Sequence, residues 1–215
     1  MSPHPDVDVV ELAGDDVASS DPDPAVVDRT ETVLAGGGTV VLPTDTVYGV
    51  AALASVDGAT DQLFALKDRP GHQPLAVLVA DLGQALELVE EPVPEVRGWM
   101  ETLWPGPLTI VLRRRVGARA LALGGNEATI GVRCPDHRFV RAVAARLGPL
   151  ATTSANRHGE ATPSSARDAA AALAGCVDLV VDGGPAGATA STVVDASITP
   201  WLVLRAGALP ADRLT

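Results

Sequence analysis

Two hydrophobic rhythms alternate along this chain. Short apolar, β-branched runs are separated by stretches in which apolar residues recur every three or four positions, the pattern of strands interleaved with helices. Strands are expected at 39–42, 75–79, 108–113, 129–133, 150–153, 177–181, 191–194 and 201–204. Helices are expected at 57–67, 82–90, 95–103, 136–147 and 164–173, with a first helix opening at Asp23-Pro24, an N-cap followed by proline at the first helical position. That helix presents Val26, Val27, Thr30, Val33 and Leu34 on one face, and Gly36-Gly37-Gly38 stop it. The segment 117–127 reads as a loop, and Ser154-Ala155-Asn156 opens another. Late strands joined by Gly-rich turns point to a mixed sheet rather than a purely parallel one. No internal repeat or interdomain linker interrupts the pattern.

Composition changes this picture at the N-terminus. Residues 1–22 are acidic, Pro-rich and aperiodic, so they are expected to be a flexible segment with one short strand near 7–12. Residues 23–215 are then expected to form a single domain. Of the net charge of −11, the first 24 residues hold −7, leaving a mildly acidic body that disfavours nonspecific nucleic-acid binding. No apolar run suits a bilayer and no basic-then-apolar leader opens the chain, so a cytoplasmic location is expected. Cys134 and Cys176 lack metal or disulfide spacing. Arginine supplies every basic residue but Lys67, which raises the question of what arginine could not do there.

Polar residues gather where strands and helices end, the place where ligands bind in sheets of this kind. Thr44 and Thr46 follow a strand, Lys67 and Arg69 lie between a helix and a strand, and Arg133 closes a strand. Ser154 and Asn156 follow one, Ser191 precedes one, and Arg205 ends the last. Four cations among hydroxyls and an amide suit a ligand with several negative charges, such as a nucleoside triphosphate. There is no GxxxxGK[ST], HExxH or GxSxG. Spacing alone therefore ends at an anion-binding α/β enzyme.

The residues carry a further resemblance, covering about 27–210. Pro43-Thr44-Asp45-Thr46-Val47-Tyr48-Gly49, Lys67-Asp68-Arg69-Pro70 with Pro74-Leu75, and Trp104-Pro105-Gly106-Pro107-Leu108-Thr109 come first. Thr129-Ile130-Gly131-Val132-Arg133 with Pro135 and His137, Ser154-Ala155-Asn156 with Gly159, Ser191-Thr192-Val193-Val194-Asp195, and Arg205-Ala206-Gly207 follow. In this order the set resembles the YrdC-like threonylcarbamoyl-AMP synthase family. The resemblance implies a YrdC/RibB-like α/β fold of three layers, a twisted mixed β-sheet flanked by helices. It implies an enzyme, a nucleotidyltransferase that joins L-threonine, bicarbonate and ATP into threonylcarbamoyl-AMP and pyrophosphate for tRNA threonylcarbamoyladenosine modification. Lys67 and Arg69 are the implied catalytic clamp on the triphosphate, with Mg²⁺ carried by the ATP phosphates rather than by protein ligands. Gln73, Thr129, Ser154, Asn156, Ser164 and Arg205 would join Lys67 and Arg69 at ATP, while Thr44, Thr46, Arg133 and Ser191 would hold L-threonine. The implied partners are the downstream tRNA threonylcarbamoyl transferase machinery; direct tRNA contact is left open and, for an acidic body, weak.

Several residues have plainer readings. Tyr48 and Trp104 suit packing, Asp195 a loop tether, Thr44 backbone satisfaction at a strand end, and Ser164 a helix cap. Arg113-Arg114-Arg115 reads as a solvated strand end, with a face toward tRNA or a downstream partner as the alternative. Leu78, Gln73 and His158 depart from the family pattern, where a histidine, an asparagine or serine, and a serine are common. A sister enzyme using another amine or carbamoyl phosphate, and a nucleotide- or RNA-binding paralogue with little turnover, therefore stay open. Some family members append a C-terminal domain, for which a chain ending at Thr215 is expected to have no room.

Overall fold

Among the described residues, ten strands join in one twisted sheet, in which, numbered by chain position, the first lies at one edge and is followed across the sheet by the eighth, second, third, seventh, fourth, sixth, fifth, ninth and tenth. The computed structural model describes residues 7–12, 21–67, 73–157, 159–174 and 176–214. In chain order the strands are β1 (Val9–Glu11), β2 (Val40–Leu42), β3 (Gly49–Leu53), β4 (Ala76–Leu78), β5 (Leu108–Arg113), β6 (Thr129–Arg133), β7 (Leu150–Ser154), β8 (Leu179–Asp182), β9 (Thr192–Asp195) and β10 (Leu202–Arg205). Six α-helices accompany them: α1 (Pro24–Ala35), α2 (Ala59–Leu66), α3 (Leu82–Leu88), α4 (Pro94–Thr102), α5 (Arg138–Leu147) and α6 (Ala166–Ala172). Pairings β2–β8, β4–β6, β5–β9 and β1–β8 are parallel, the remainder antiparallel, so the sheet is mixed as the late turns indicated. Among the described residues, no helix is long and apolar enough to cross a membrane.

The strand alternation divides the core in two. Val41, Val50, Val77, Ile110, Val132 and Ala151 point to one side, where α2, α3, α4 and α6 cover them through residues such as Leu63, Leu88, Trp99 and Ala169. Their neighbours Val40, Leu42, Ala51, Leu53, Leu78, Leu150 and Leu179 point to the other, beneath α1 and α5. Helix α5 buries Phe139, Val140, Val143 and Ala144, a one-sided stripe of helical period. Each large side chain removed from water in this way contributes about 1.5–3 kcal/mol. Three layers result, as the family resemblance implied.

Several expectations need correction. The strand β3 has no counterpart in the sequence reading, although it lies fully buried at the centre of the sheet between β2 and β7. Its Gly-Val-Ala-Ala-Leu run is too short and too poor in β-branched residues to announce a strand alone. The short strand expected near 7–12, by contrast, is present as β1 (Val9–Glu11), which pairs with β8 at the sheet edge. The cap of α6 is Ser165, whose side chain accepts from the Asp168 amide, rather than Ser164. The middle of the expected solvated arginine run is buried: Arg114 is 1% exposed, while Arg113 and Arg115 face solvent.

Two plainer readings hold. Tyr48 is fully buried, donates to the Gly184 carbonyl at 2.6 Å, and has its hydroxyl pKa pushed up to about 12, chiefly by burial. Asp195 accepts from the Ser197 amide and hydroxyl at 3.0 and 2.6 Å, a loop tether.

His137, the residue before α5, is 3% exposed and its Nδ1 has no partner among the described residues. Burial, aided by the nearby Arg141 charge, pulls its pKa down to about 4 from 6.5. The unfolded chain therefore takes up a proton that the folded chain refuses. The contribution of His137 to stability is complete above about pH 6.5 and is lost as pH falls toward 4, by on the order of 3 kcal/mol in total. Urea unfolding between pH 4.5 and 7 should show this slope, and His137→Asn should flatten it; equal slopes in the two proteins would remove His137 from the account.

Candidate functional site

The helix layer above the second sheet face stops near β4, where α5 packs, and beyond it the strands form the floor of an open cavity of about 770 Å³. That volume is in the range of small-molecule and cofactor sites. The register explains which residues form the floor. Gly49 pairs with Ser154, Ala76 with Thr152 and Gly131, Val111 with Gly131, and Thr109 with Val193, so alternate residues of six strands share the face. At Gly131 an added Cβ would lie 3.6 Å from both the Ala76 Cβ and the Thr109 Cγ2, in ordinary contact, so any longer side chain would rise into the cavity. Small residues in central strands, where β-branched ones pack best, keep the floor low.

Around this floor the lining is polar in one sense. Arg133 and Arg205 are its charged residues, accompanied by the hydroxyls of Thr44, Thr109, Thr129, Thr152, Thr153, Ser154 and Ser191 and the amide of Gln73; no carboxylate lines it among the described residues. In a chain of net charge −11, two guanidiniums on a described lining that holds no acid create a local positive field, which favours a negatively charged group over a cation there.

Arg133 is fixed before any ligand arrives. At 6% exposure, it donates from Nε to the Gly106 carbonyl at 3.1 Å, from one terminal nitrogen to Thr46 Oγ1 at 2.8 Å, and from the other to Asp45 Oδ1 at 2.5 Å. Burial moves both members of the pair toward neutrality, lowering the Arg133 pKa and raising that of Asp45, and the opposite charge counters the shift in each case. Thr44 in turn accepts from the Thr46 and Val47 amides and donates to the Val47 carbonyl at 2.6 Å, closing the turn that carries Asp45 and Thr46. Thr44 therefore satisfies backbone groups, as its plainer reading held, and also lines the cavity. Thr46 sits behind it, 2% exposed, and touches the cavity through Arg133.

Lys67 follows α2 and is 4% exposed. Its Nζ donates to the Ser154 carbonyl at 2.6 Å, Ser154 Oγ at 3.2 Å, Thr153 Oγ1 at 3.3 Å and Asn156 Oδ1 at 3.1 Å. Ser154 Oγ also donates to Asn156 Oδ1, while Asn156 Nδ2 holds the Arg157 and Glu160 carbonyls at 2.8 and 2.6 Å. One compact ammonium thus gathers the end of β7 and its loop, a convergence a planar guanidinium cannot match. Lys67 and Asn156 stand behind the lining, and Ser154 is in it.

On the far wall Arg205 donates to the Ser191 carbonyl at 3.0 Å and to Ser191 Oγ at 3.1 Å, and Ser191 Oγ lies 2.8 Å from Thr109 Oγ1. Partial burial lowers the Arg205 pKa, and its charge in turn weighs on Arg133, placing the two cations in one field. Gly207 lets this wall form. A Cβ there would come within 2.4 Å of the Ala190 carbonyl oxygen, so only glycine allows the turn after β10 to lie against Ser191.

The structure thus brings Thr44, Gln73, Thr129, Arg133, Ser154, Ser191 and Arg205 to one cavity, with Thr46, Lys67 and Asn156 directly behind. Ser164 is exposed and outside the lining, and Arg69 lies outside the described residues. Trp104 packs in the core, its Nε1 donating to the Leu108 carbonyl at 2.8 Å. Asp45, Thr109, Gly131 and Thr152 were missed as site residues. The signal for the last three was present, since Thr109-x-Val111, Thr129-x-Gly131-x-Arg133 and Thr152-x-Ser154 place small or hydroxylated residues at every second strand position. Leu78 lines the cavity beside α5 and is 3% exposed.

Comparison with known proteins shows what the chain is similar to. The threonylcarbamoyl-AMP synthase of Bacillus subtilis is 33% identical over 203 residues, 93% of this chain and 58% of that protein. The Pyrococcus abyssi protein of the same name is 34% identical over 181 residues, 83% of this chain and 53% of that protein. A crystal structure of P. abyssi Sua5 complexed with L-threonine superposes with a TM-score of 0.84 at 29% identity, covering 97% of this chain and 59% of that one. The chain therefore spans between half and two thirds of the length of these relatives. A family model described as telomere recombination matches residues 32–207, and with that match over most of its length the chain belongs to the Sua5/YciO/YrdC family.

Proposed function

We propose that this chain is a threonylcarbamoyl-AMP synthase, joining L-threonine, bicarbonate and ATP to give threonylcarbamoyl-AMP, pyrophosphate and water for tRNA modification. The observation that carries this reading is a cavity with two fixed guanidiniums and no acid among its described lining residues, in a family whose relatives bear that name. Threonine's amine adds to bicarbonate with loss of water to form a carbamate. A carbamate oxygen then bonds to the α-phosphorus of ATP as the bond to the β-phosphate oxygen breaks and pyrophosphate leaves. No protein nucleophile is required, so the task of the site is to align three reactants and offset their charge.

Arg133 has two of its five N–H groups left after holding Gly106, Thr46 and Asp45, and these suit a carboxylate. L-Threonine is assigned to this end, with Ser191 and Thr44 nearby and Thr46 acting through Arg133. The triphosphate is assigned to the side of Ser154, Gln73, Thr129 and Arg205, with Lys67 and Asn156 holding the Ser154 loop and Arg69 completing the clamp. Magnesium is proposed to arrive on the nucleotide. The described lining offers it no carboxylate, and no metal-holding cluster of three or more His, Cys, Asp or Glu occurs among the described residues. Its ligands would be phosphate oxygens and water, and it would supply charge neutralisation on the departing pyrophosphate.

Purified protein given ATP, MgCl₂, bicarbonate and L-threonine should release pyrophosphate only when all are present, with the adenylate identified by mass spectrometry. Release that persists without threonine, or needs another amine or carbamoyl phosphate, would move the chain to a sister activity; ATP binding without release would leave a nucleotide-binding paralogue. Arg133→Lys keeps a cation beside Asp45 but cannot reach three acceptors and a carboxylate together. It should raise the KM for threonine by on the order of a hundredfold while changing that for ATP little, and equal changes in both would refute the division of the cavity. Lys67→Met should release the Ser154 loop and weaken ATP binding at least about tenfold by calorimetry, with threonine affinity within about twofold of wild type.

A further inference from the structure

Arg114 stands outside this account, yet it is the largest fully buried side chain among the described residues. Its guanidinium donates to the Leu121 carbonyl, its Nε has no partner among the described residues, and no carboxylate forms an ion pair with it there. A buried cation held this sparingly costs folding free energy, and an apolar side chain of similar size would serve packing as well or better. Its position shows what the charge does. Residue 114 bonds through its own amide to the Ala128 carbonyl and bridges to Val89, so its backbone is anchored at the mouth of the 117–127 loop. From there the guanidinium reaches into the loop and captures Leu121. Two residues on, the Leu123 carbonyl accepts the Leu75 amide at 2.8 Å, while the buried Leu123 side chain packs in the core. Leu75, Pro74 and Gln73 are cavity wall, and in sequence they directly follow the segment that carries Arg69.

We propose that Arg114 is a positioning residue for the nucleotide side of the cavity. Its guanidinium sets the loop through Leu121, and the loop holds the Gln73–Leu75 wall in place through Leu123. This role rests on the assignment of Gln73 to the nucleotide. A side chain that served packing alone would shift stability and leave nucleotide affinity untouched. The positioning role has the opposite signature.

Wild type, Arg114→Met and Arg114→Lys separate the two. Arg114→Met should melt within about 2 °C of wild type or above it, raise the KM for ATP roughly tenfold and leave kcat within about twofold. Hydrogen exchange followed by mass spectrometry should show faster exchange at the Leu75 amide, and Arg114→Lys, which can still donate to Leu121, should lie between the two in both readouts. Unchanged ATP KM and unchanged Leu75 exchange in Arg114→Met would overturn the proposal. Were Arg114→Met not to fold, the same two readouts on Arg114→Lys would decide it, with wild-type values for both overturning it. Absence of ATP-dependent turnover in wild type would instead sink the assignment of function, while Leu75 exchange would still report whether Arg114 holds the wall.

Discussion

A buried guanidinium joins three separate stretches of this chain. Arg133 closes β6, and its contacts reach the turn after β2 through Asp45 and Thr46 and the Trp104–Pro107 turn through Gly106. Removing such a charge from water costs several kcal/mol, and that cost is offset only while every partner stays in place. The three segments must therefore assemble together or not at all. The same contacts immobilise the cation and leave part of its hydrogen-bonding capacity facing the cavity. A site that holds its cation in place in advance loses little conformational freedom when an anion binds.

Around that point, the sheet is covered unequally. Helices α2, α3, α4 and α6 close one face, whereas α1 and α5 close the other only as far as β4. Leu78 marks the boundary, in the core with Leu150 and Phe139 and in the cavity lining as well. Beyond it most floor positions are glycine, alanine, threonine and serine, with Val111 and Val193 the valines among them. The small residues weaken the local packing, and they leave a polar floor at the height a ligand needs. Lys67 and Arg205 then hold the loops at two sides of that floor, each by bonds to main-chain carbonyls as well as side chains.

Much of the fold was legible because local signals agreed with the tertiary outcome. Asp23-Pro24 opens α1 and the run from Thr129 to Arg133 is β6, and the sheet is mixed as expected, although its Gly-rich turn joins β8 to β9, which are not neighbours, and the antiparallel β9–β10 pair is joined by a turn without glycine. The cavity residues at element ends were legible too, since Thr44, Arg133, Ser191 and Arg205 occupy the positions where a sheet binds ligands. Legibility failed where identity and environment part company. Gly49–Leu53 is a central strand whose small residues carry little intrinsic preference, and its place is set by β2 and β7 on either side. Arg114 lies between two exposed arginines of the same type, and nothing in the triplet distinguishes the one that is buried.

By itself, the sequence determined the alternation of elements, the mixed sheet, the gathering of cations and hydroxyls at element ends and the family, because each follows from residue type and spacing along the chain. Tertiary structure alone decided that Asp45 is the partner of Arg133, that Lys67 gathers the Ser154 loop from behind the lining, and that alternate residues of six strands make one floor. The physical reason is distance along the chain: Arg133 is 88 residues from Asp45, and Lys67 is 87 from Ser154. Hydrogen bonds across such separations are chosen by strand order and register, which depend on the packing of the whole sheet between its helices rather than on any local run of residues.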